Sequence, residues 1–139
     1  MTNFFSQWLH KPNSAKTRLI VFTELCGYAY GFIGATFFFL PHLQVQMGML
    51  PPYQGQEEGM VRLLGLTLGI IGYFYVFGAR THARSFCLST VVDRLLVPFL
   101  LAFVFLVSDV ALMLILPLAV LDPLLAITAL FLWYKEERG

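Results

Sequence analysis

The chain has 139 residues, the length of one domain, but hydrophobic residues make up 58% of it and charged residues only 12%. An ordinary soluble domain contains about 45–50% and about 25% of these two classes. The mean hydropathy of +0.75, the net charge of +1 and the two cysteines exclude a disordered chain, a nucleic-acid-binding module and a disulfide-stabilised scaffold. The composition indicates an integral membrane protein.

Four apolar segments predict membrane-spanning helices. The first covers residues 19–40, contains one charged residue and ends before Pro41. At about 1.5 Å per residue, about 20 residues cross the roughly 30 Å of hydrocarbon in a bilayer. The second segment covers residues 60–79. The third and fourth share one long apolar stretch, and a turn at Ser108 and Asp109 divides it into spans at about 86–107 and 110–134.

These segments predict an all-α fold, a polytopic membrane protein whose four transmembrane helices form one antiparallel bundle over residues 1–139. Backbone polar groups in lipid must be hydrogen-bonded within a helix or a closed barrel, and the segments lack the alternation of barrel strands. Before the first span, residues 3–12 carry aromatic side chains at near-helical spacing. They predict a short interfacial segment, with a frayed polar tail as the alternative. The connection 41–59 is the only loop large enough for a recognition surface.

The basic residues predict the orientation. Seven of them flank the spans on the side that carries both termini: Lys11, Lys16, Arg18, Arg80, Arg84, Lys135 and Arg138. Only Arg62 belongs to the opposite side. Because loops rich in lysine and arginine stay in the cytoplasm, we expect a protein of the cytoplasmic (inner) membrane with both termini cytoplasmic and the 41–59 loop outside.

Charged residues inside the spans carry the chemical signal. Glu24, Arg94 and Asp122 lie at depths of about 8 Å, about 12 Å and near mid-bilayer. An unpaired charge at such a depth costs about 2.5–3.5 kcal/mol or more. We therefore expect these three side chains to face the bundle interior and to contact one another, with Arg94 as the hub. Asp93 either joins them or points toward the headgroups.

The charge balance of this predicted core leaves two interpretations. Glu24, Asp93 and Asp122 supply three carboxyl groups for the single inner guanidinium of Arg94. Either one carboxyl group is protonated within a purely structural network, or the residues form a proton, cation or ligand site.

Small residues recur beside two of the charges. Gly27 and Gly31 in the first span, and Gly65 and Gly69 in the second, lie at four-residue steps on one helical face. Glycine at that spacing lets helix backbones approach closely in lipid, so we predict these four as helix-packing residues.

Arg62 lies near the outer membrane surface in the predicted orientation. We expect it at the outer rim of the bundle, paired with Asp109, Glu57 or Glu58.

No motif for catalysis, metal binding or cofactor binding is present in the sequence. Cys26 and Cys87 lack CxxC spacing, and His10, His42 and His82 are predicted on different sides of the membrane. A nucleophile elbow, a phosphate-binding glycine loop and an HExxH motif are absent from the sequence. We therefore predict no catalytic residue, no metal site and no cofactor.

The last three spans contain short charged or glycine-containing motifs: RLLG at 62–65, GYFYVFGAR at 72–80, DRLLVP at 93–98 and Asp122. Their order resembles that of small bacterial four-helix integral membrane proteins grouped as DoxX-like, over about residues 18–134. The resemblance implies a four-helix bundle in a bacterial cytoplasmic membrane. Some DoxX-like proteins are linked to quinone-coupled sulfur oxidation, and distant animal relatives are assembly chaperones for membrane receptors. No catalytic residue carries over from the family, and the chain lacks a paired-cysteine centre.

Three functions are compatible with these features. The leading hypothesis is non-enzymatic binding of a lipophilic small molecule or of a partner membrane protein through the Glu24, Arg94 and Asp122 core, in a homo-oligomer or larger membrane complex. The first alternative is a proton- or cation-coupled transporter or channel that acts as an oligomer. The second is an enzyme that acts on a quinone, sterol or isoprenoid, with Asp122 or Glu24 as the acid–base group. The lipid bilayer is a partner in all three, and nucleic acid is a partner in none.

Overall fold

The computed structural model describes residues 12–108 and 112–138. Within these ranges the chain forms five helices and no strand: α1 Arg18–Phe39, α2 Pro41–Gln46, α3 Glu57–Arg80, α4 Arg84–Val107 and α5 Leu112–Arg138. All of these except α2 are long and apolar enough to cross a membrane. The predicted fold class, an all-α bundle of membrane-spanning helices, is confirmed.

The helix bounds differ from the predicted spans by a few residues. α3 begins at Glu57 rather than at residue 60, and α5 continues to Arg138 rather than ending at 134. The predicted 41–59 connection therefore contains α2 and the first turn of α3. α4 ends at Val107 and is followed by an extended Ser108, where the turn was predicted. Asp109 and residues 3–11 of the predicted interfacial segment lie outside the described residues.

Local chemistry explains where the helices begin and end. Thr17 precedes α1, and its hydroxyl oxygen accepts a hydrogen bond from the Ile20 backbone N–H at 3.4 Å, which satisfies one free donor of the first turn. Pro41 stands at the first position of α2, where its missing N–H has no consequence. α3 carries Glu57 in its first turn and Arg80 in its last, which matches the dipole of the helix.

The bundle consists of two closely packed helix pairs, α1 with α3 and α4 with α5. We call the end with residues 12–17 and 135–138 the terminal end, and the end with residues 40–56 the loop end. A buried cluster that includes Leu19, Ala79 and Cys87 holds the pairs together at the terminal end. Large apolar side chains such as Leu106, 81% exposed, cover the outside of the bundle. Such a surface is suited to lipid and not to water.

Four glycines allow the close approach of α1 and α3. A Cβ atom added to Gly27, Gly34, Gly65 or Gly72 would lie 2.5–2.7 Å from a backbone atom of the other helix. The two glycines of each helix are seven residues apart, which is two helical turns, so the contact repeats along one face of each helix.

The four predicted packing glycines all contribute atoms to the contact between α1 and α3, but in two different ways. Gly27 and Gly65 lie at the contact, but a Cβ atom added to Gly31 or Gly69 would meet nothing within 4 Å. Gly34 also has no room for a Cβ atom. The backbone nitrogens of Gly31 and Gly69 would lie 2.5 Å from a Cβ atom added to Gly72 and to Gly34, respectively, so Gly31 and Gly69 contribute backbone atoms to the seam.

Candidate functional site

Five side chains from all four long helices meet in the middle of the bundle. They are Tyr30 of α1, Tyr75 of α3, Asp93 and Arg94 of α4, and Asp122 of α5, and we call them the polar centre. The Tyr30 hydroxyl donates a short hydrogen bond to Asp122, whose side chain is 4% exposed. The Tyr75 hydroxyl donates to Asp93 at 2.9 Å. Each carboxylate is therefore held by a tyrosine from another helix.

Arg94 is the most deeply buried charged residue of the polar centre, with 1% exposure. It lies ten residues into α4, about 15 Å along the helix axis. Its guanidinium carbon lies 4.9 Å from the centroid of the Tyr75 ring, a cation–π contact. Within the described parts of the chain, none of its three side-chain nitrogens has a hydrogen-bond acceptor. Arg94 is therefore held by an aromatic face and by the field of nearby carboxylates, and its donors remain available.

The predicted direct pairing of Arg94 with Asp122 is not observed, although the positive charge of Arg94 acts on the Asp122 carboxyl group. Tyr30 takes the position nearest that carboxylate. The Tyr30 and Tyr75 rings are 5.6 Å apart and nearly perpendicular, so the two tyrosine–aspartate pairs lie side by side. Asp93 is exposed at the bundle surface, apart from its bond to Tyr75.

The prediction that Glu24 joins Arg94 and Asp122 is wrong. Glu24 binds Lys16 and lies 3.5 Å from the Nε of Arg80 at the terminal end of the bundle. Its depth of about 8 Å is within reach of long basic side chains anchored near the membrane surface. Glu24 is therefore neutralised outside the polar centre. The polar centre then contains two carboxyl groups, those of Asp93 and Asp122, and the one guanidinium of Arg94.

Arg62 lies at the loop end, where it was expected, and pairs with Glu58. Its Nη2 lies 2.7 Å from Glu58 Oε1, and its Nη1 donates to the backbone oxygen of Phe38 at 2.6 Å. That oxygen belongs to the last turn of α1, where backbone carbonyl groups have no N–H donor within their own helix. Arg62 therefore joins the end of α1 to the start of α3. The alternative partner Asp109 lies outside the described residues.

A cavity of about 380 Å³ lies at the loop end, between α1, α2, α3 and α5. Its walls are apolar side chains except for Thr36 and Gln44. The Thr36 hydroxyl donates to the Ile33 backbone oxygen of its own helix at 2.7 Å, and Gln44 is 3% exposed. The loop-end cavity therefore presents an almost entirely apolar surface.

The segment after α1 closes this cavity. The backbone N–H groups of Met49 and Leu50 both donate to the backbone oxygen of Gln44, at 2.9 and 3.2 Å. The hydroxyl of Tyr53 donates to the backbone oxygen of Pro41. Partial burial and the negative charge of Glu58 raise the pKa of Tyr53 above its usual value.

The two tyrosines of the polar centre were not among the predicted site residues. One signal was available: a tyrosine hydroxyl buried in a membrane bundle needs a partner, and the third and fourth spans contain Asp93 and Asp122. Tyr30 also follows Cys26 at a four-residue step, and both belong to one buried cluster with Leu68 and Tyr75.

The polar centre consists of charged and hydrogen-bonding side chains. Among the described residues, no group of three histidine, cysteine, aspartate or glutamate side chains is placed to hold a metal ion. Comparisons with protein-family models, with curated proteins and with solved structures find no match to this chain. The resemblance to DoxX-like proteins therefore stays a prediction.

Proposed function

We propose that the protein is a non-enzymatic membrane protein that binds a lipophilic small molecule in the loop-end cavity. The observation that carries this proposal is the cavity itself: about 380 Å³ with an apolar wall. Ligand sites in proteins have volumes of about 300–1,000 Å³ and are mostly apolar with a few polar groups. A wall of this kind favours a ligand with an acyl or isoprenoid chain.

The position of the polar centre supports a ligand with one polar end. Ile33 of α1 and Leu121 of α5 line the cavity. Tyr30 lies one helical turn from Ile33, and Asp122 lies next to Leu121, both toward the terminal end. Leu68 lines the cavity and also packs in the buried cluster that contains Tyr30. A molecule that entered the cavity with its chain would meet this polar group at the deep end.

Entry from the membrane is compatible with the composition of the wall. Met47 and Met49 lie on the segment that closes the cavity, and Met47 is 65% exposed. Methionine side chains are flexible and adapt to different apolar shapes. The loop-end cavity is therefore suited to lipophilic molecules of different shapes.

A substitution that fills the cavity tests the proposal. Leu118 of α5 is half-buried and lines the cavity, and Leu116, on the same helix, is 47% exposed on the outside. We expect the Leu118→Trp variant to lose a fluorescent polyene fatty acid and any co-purified lipophilic molecule other than a phospholipid, detected by native mass spectrometry. The Leu116→Trp variant, which adds the same side chain on the outside, is expected to retain both.

The result counts only for variants that stay folded, which circular dichroism and a single elution peak in detergent establish. Equal retention by both variants, or equal loss, would contradict binding in the cavity. A second pair, Leu43→Trp inside the cavity and Gln46→Trp on the exposed side of α2, repeats the comparison on another wall.

The orientation that we propose is cytoplasmic for both termini, in the cytoplasmic membrane. Seven of the eight basic residues considered belong to the terminal side, and Arg62 alone belongs to the loop end. This asymmetry is what the positive-inside rule describes. The loop-end cavity would then lie in the outer half of the membrane.

Proton-coupled transport is a second candidate, favoured by the polar centre. The carboxyl group of Asp122 and a guanidinium with free donors lie deep in the bundle, with Asp93 at its surface beside them, and intramembrane ionisable groups often mark ion or proton pathways. In proteoliposomes with a pH gradient, this function requires proton flux that Asp122→Asn abolishes. Flux equal to that of empty liposomes would contradict it.

A further inference from the structure

A second cleft lies at the terminal end, opposite to the loop-end cavity. It has a volume of about 520 Å³ and is lined by Lys16, Thr17, Arg18, Arg84, Lys135 and Glu136. The residues come from the start of α1, the start of α4 and the end of α5. We call it the basic cleft.

Glu136 builds one wall of the basic cleft. Its Oε1 accepts a hydrogen bond from the Leu19 backbone N–H at 2.9 Å, so the end of α5 caps the first turn of α1. The same side chain is 15% exposed, and its Oε2 lies 3.8 Å from Arg84. These contacts join three helices, so the cleft is formed before any ligand binds.

Two of the four basic side chains have acidic partners. Lys16 binds Glu24, and Arg84 lies 2.7 Å from Glu137. Arg18 and Lys135 form no ion pair with any residue in the described parts of the chain. The basic cleft therefore retains excess positive charge that an anion can neutralise.

We propose that the basic cleft binds the phosphate group of an anionic phospholipid. Arg18 and Arg84 are the first residues of their membrane-spanning helices, and Lys135 follows Trp133 and Tyr134. Such positions lie at the level of the headgroups, where tryptophan and tyrosine also concentrate. Basic pockets between helices at this level bind anionic headgroups such as that of cardiolipin. A headgroup with its chains in the bilayer reaches the cleft without leaving the membrane.

Native mass spectrometry of the purified full chain in detergent tests the proposal. Phosphatidylglycerol and phosphatidylcholine, matched in acyl chains, are titrated separately, because both carry phosphate and only the first is anionic overall. We expect tighter binding of phosphatidylglycerol. Each basic residue near a lipid surface contributes enough to change affinity about fivefold, so Lys135→Gln is expected to weaken phosphatidylglycerol binding by about that factor.

Arg138→Gln is the matched control. Arg138 lies one turn after Lys135, and its guanidinium carbon lies 4.2 Å from the centroid of the Tyr134 ring, outside the basic cleft. The substitution removes the same charge as Lys135→Gln. The control is expected to bind phosphatidylglycerol like the unmodified protein. Arg18→Gln provides a second variant on another helix and is expected to weaken binding to a similar extent.

Inorganic phosphate distinguishes a lipid from a soluble ligand. We expect it to compete only weakly, since it lacks chains in the membrane. If inorganic phosphate displaces phosphatidylglycerol and binds as tightly, the lipid assignment is overturned. Equal losses in Lys135→Gln and Arg138→Gln would also overturn it, because they would reflect only the general charge of the terminal end. Leu118→Trp is expected to leave phosphatidylglycerol binding unchanged, which would separate this site from the loop-end cavity.

Discussion

Gly34 of α1 and Gly65 of α3 lie so close together that a Cβ atom on Gly34 would be 2.6 Å from the Gly65 backbone oxygen. Gly27 and Gly72 repeat this contact two turns away on each helix, and a Cβ atom on Gly72 would be 2.6 Å from the Gly27 oxygen. Lipid tails are as apolar as the helix surfaces, so the association of α1 and α3 depends on such close packing.

Gly65→Ala is expected to destabilise the protein by about 1–3 kcal/mol, because the added methyl group meets the α1 backbone, which cannot move aside like a side chain. Unfolding by sodium dodecyl sulfate in mixed micelles measures the change. Gly69→Ala, one turn away, is the control: its Cβ atom meets nothing within 4 Å. Alanine favours a helix over glycine, so this variant is expected to be neutral or up to about 1 kcal/mol more stable. Similar destabilisation by both variants would contradict the described seam.

Tyr30→Phe is expected to cost about 1–3 kcal/mol of stability, because it leaves the buried Asp122 carboxyl group without its hydrogen-bond donor. A double-mutant cycle with Asp122→Ala, which removes the acceptor, isolates the interaction, and the two changes should not be additive. Tyr28→Phe is the control, since Tyr28 is 53% exposed and its hydroxyl only accepts from Arg80. Additive effects of Tyr30→Phe and Asp122→Ala would show that the two side chains do not interact.

Tyr53 is expected to lose its proton at a higher pH than a free tyrosine. Partial burial disfavours the phenolate and raises the pKa of Tyr53, and ionisation would break its hydrogen bond to Pro41. Because the folded-state pKa is raised, the stabilisation is fully present below the unfolded-state pKa of about 10 and is lost as the pH rises through the folded-state value. The difference in phenolate absorbance between the unmodified protein and Tyr53→Phe measures this midpoint. A midpoint at or below that of free tyrosine would contradict the described loop.

Cysteine labelling tests the proposed orientation. Cys26 and Cys87 are 4% and 0% exposed, so the unmodified protein is expected to react poorly with a membrane-impermeant maleimide. Gln54→Cys in the loop should be labelled in cells whose outer membrane has been opened, and Asn13→Cys should be labelled only after lysis. The reverse pattern would place the termini outside and contradict the distribution of basic residues.

The sequence alone determined the helical membrane fold, because a bilayer imposes local rules: a span needs enough apolar residues, and its backbone must be hydrogen-bonded within the segment. It also indicated that Arg62 lies at the loop end and that Arg94 and Asp122 are buried, since charges at those depths are costly in lipid. These conclusions need only the position of a residue along its own helix.

The tertiary structure decided which side chains meet. Glu24 binds Lys16 and Arg80 rather than Arg94, Asp122 accepts from Tyr30, and Gly34, which was not predicted, packs against α3 with no room for a Cβ atom. The loop-end cavity and the basic cleft also join residues that are far apart in the chain. Partners of this kind depend on the rotation and relative level of neighbouring helices, and hydropathy and spacing within one helix do not contain that information.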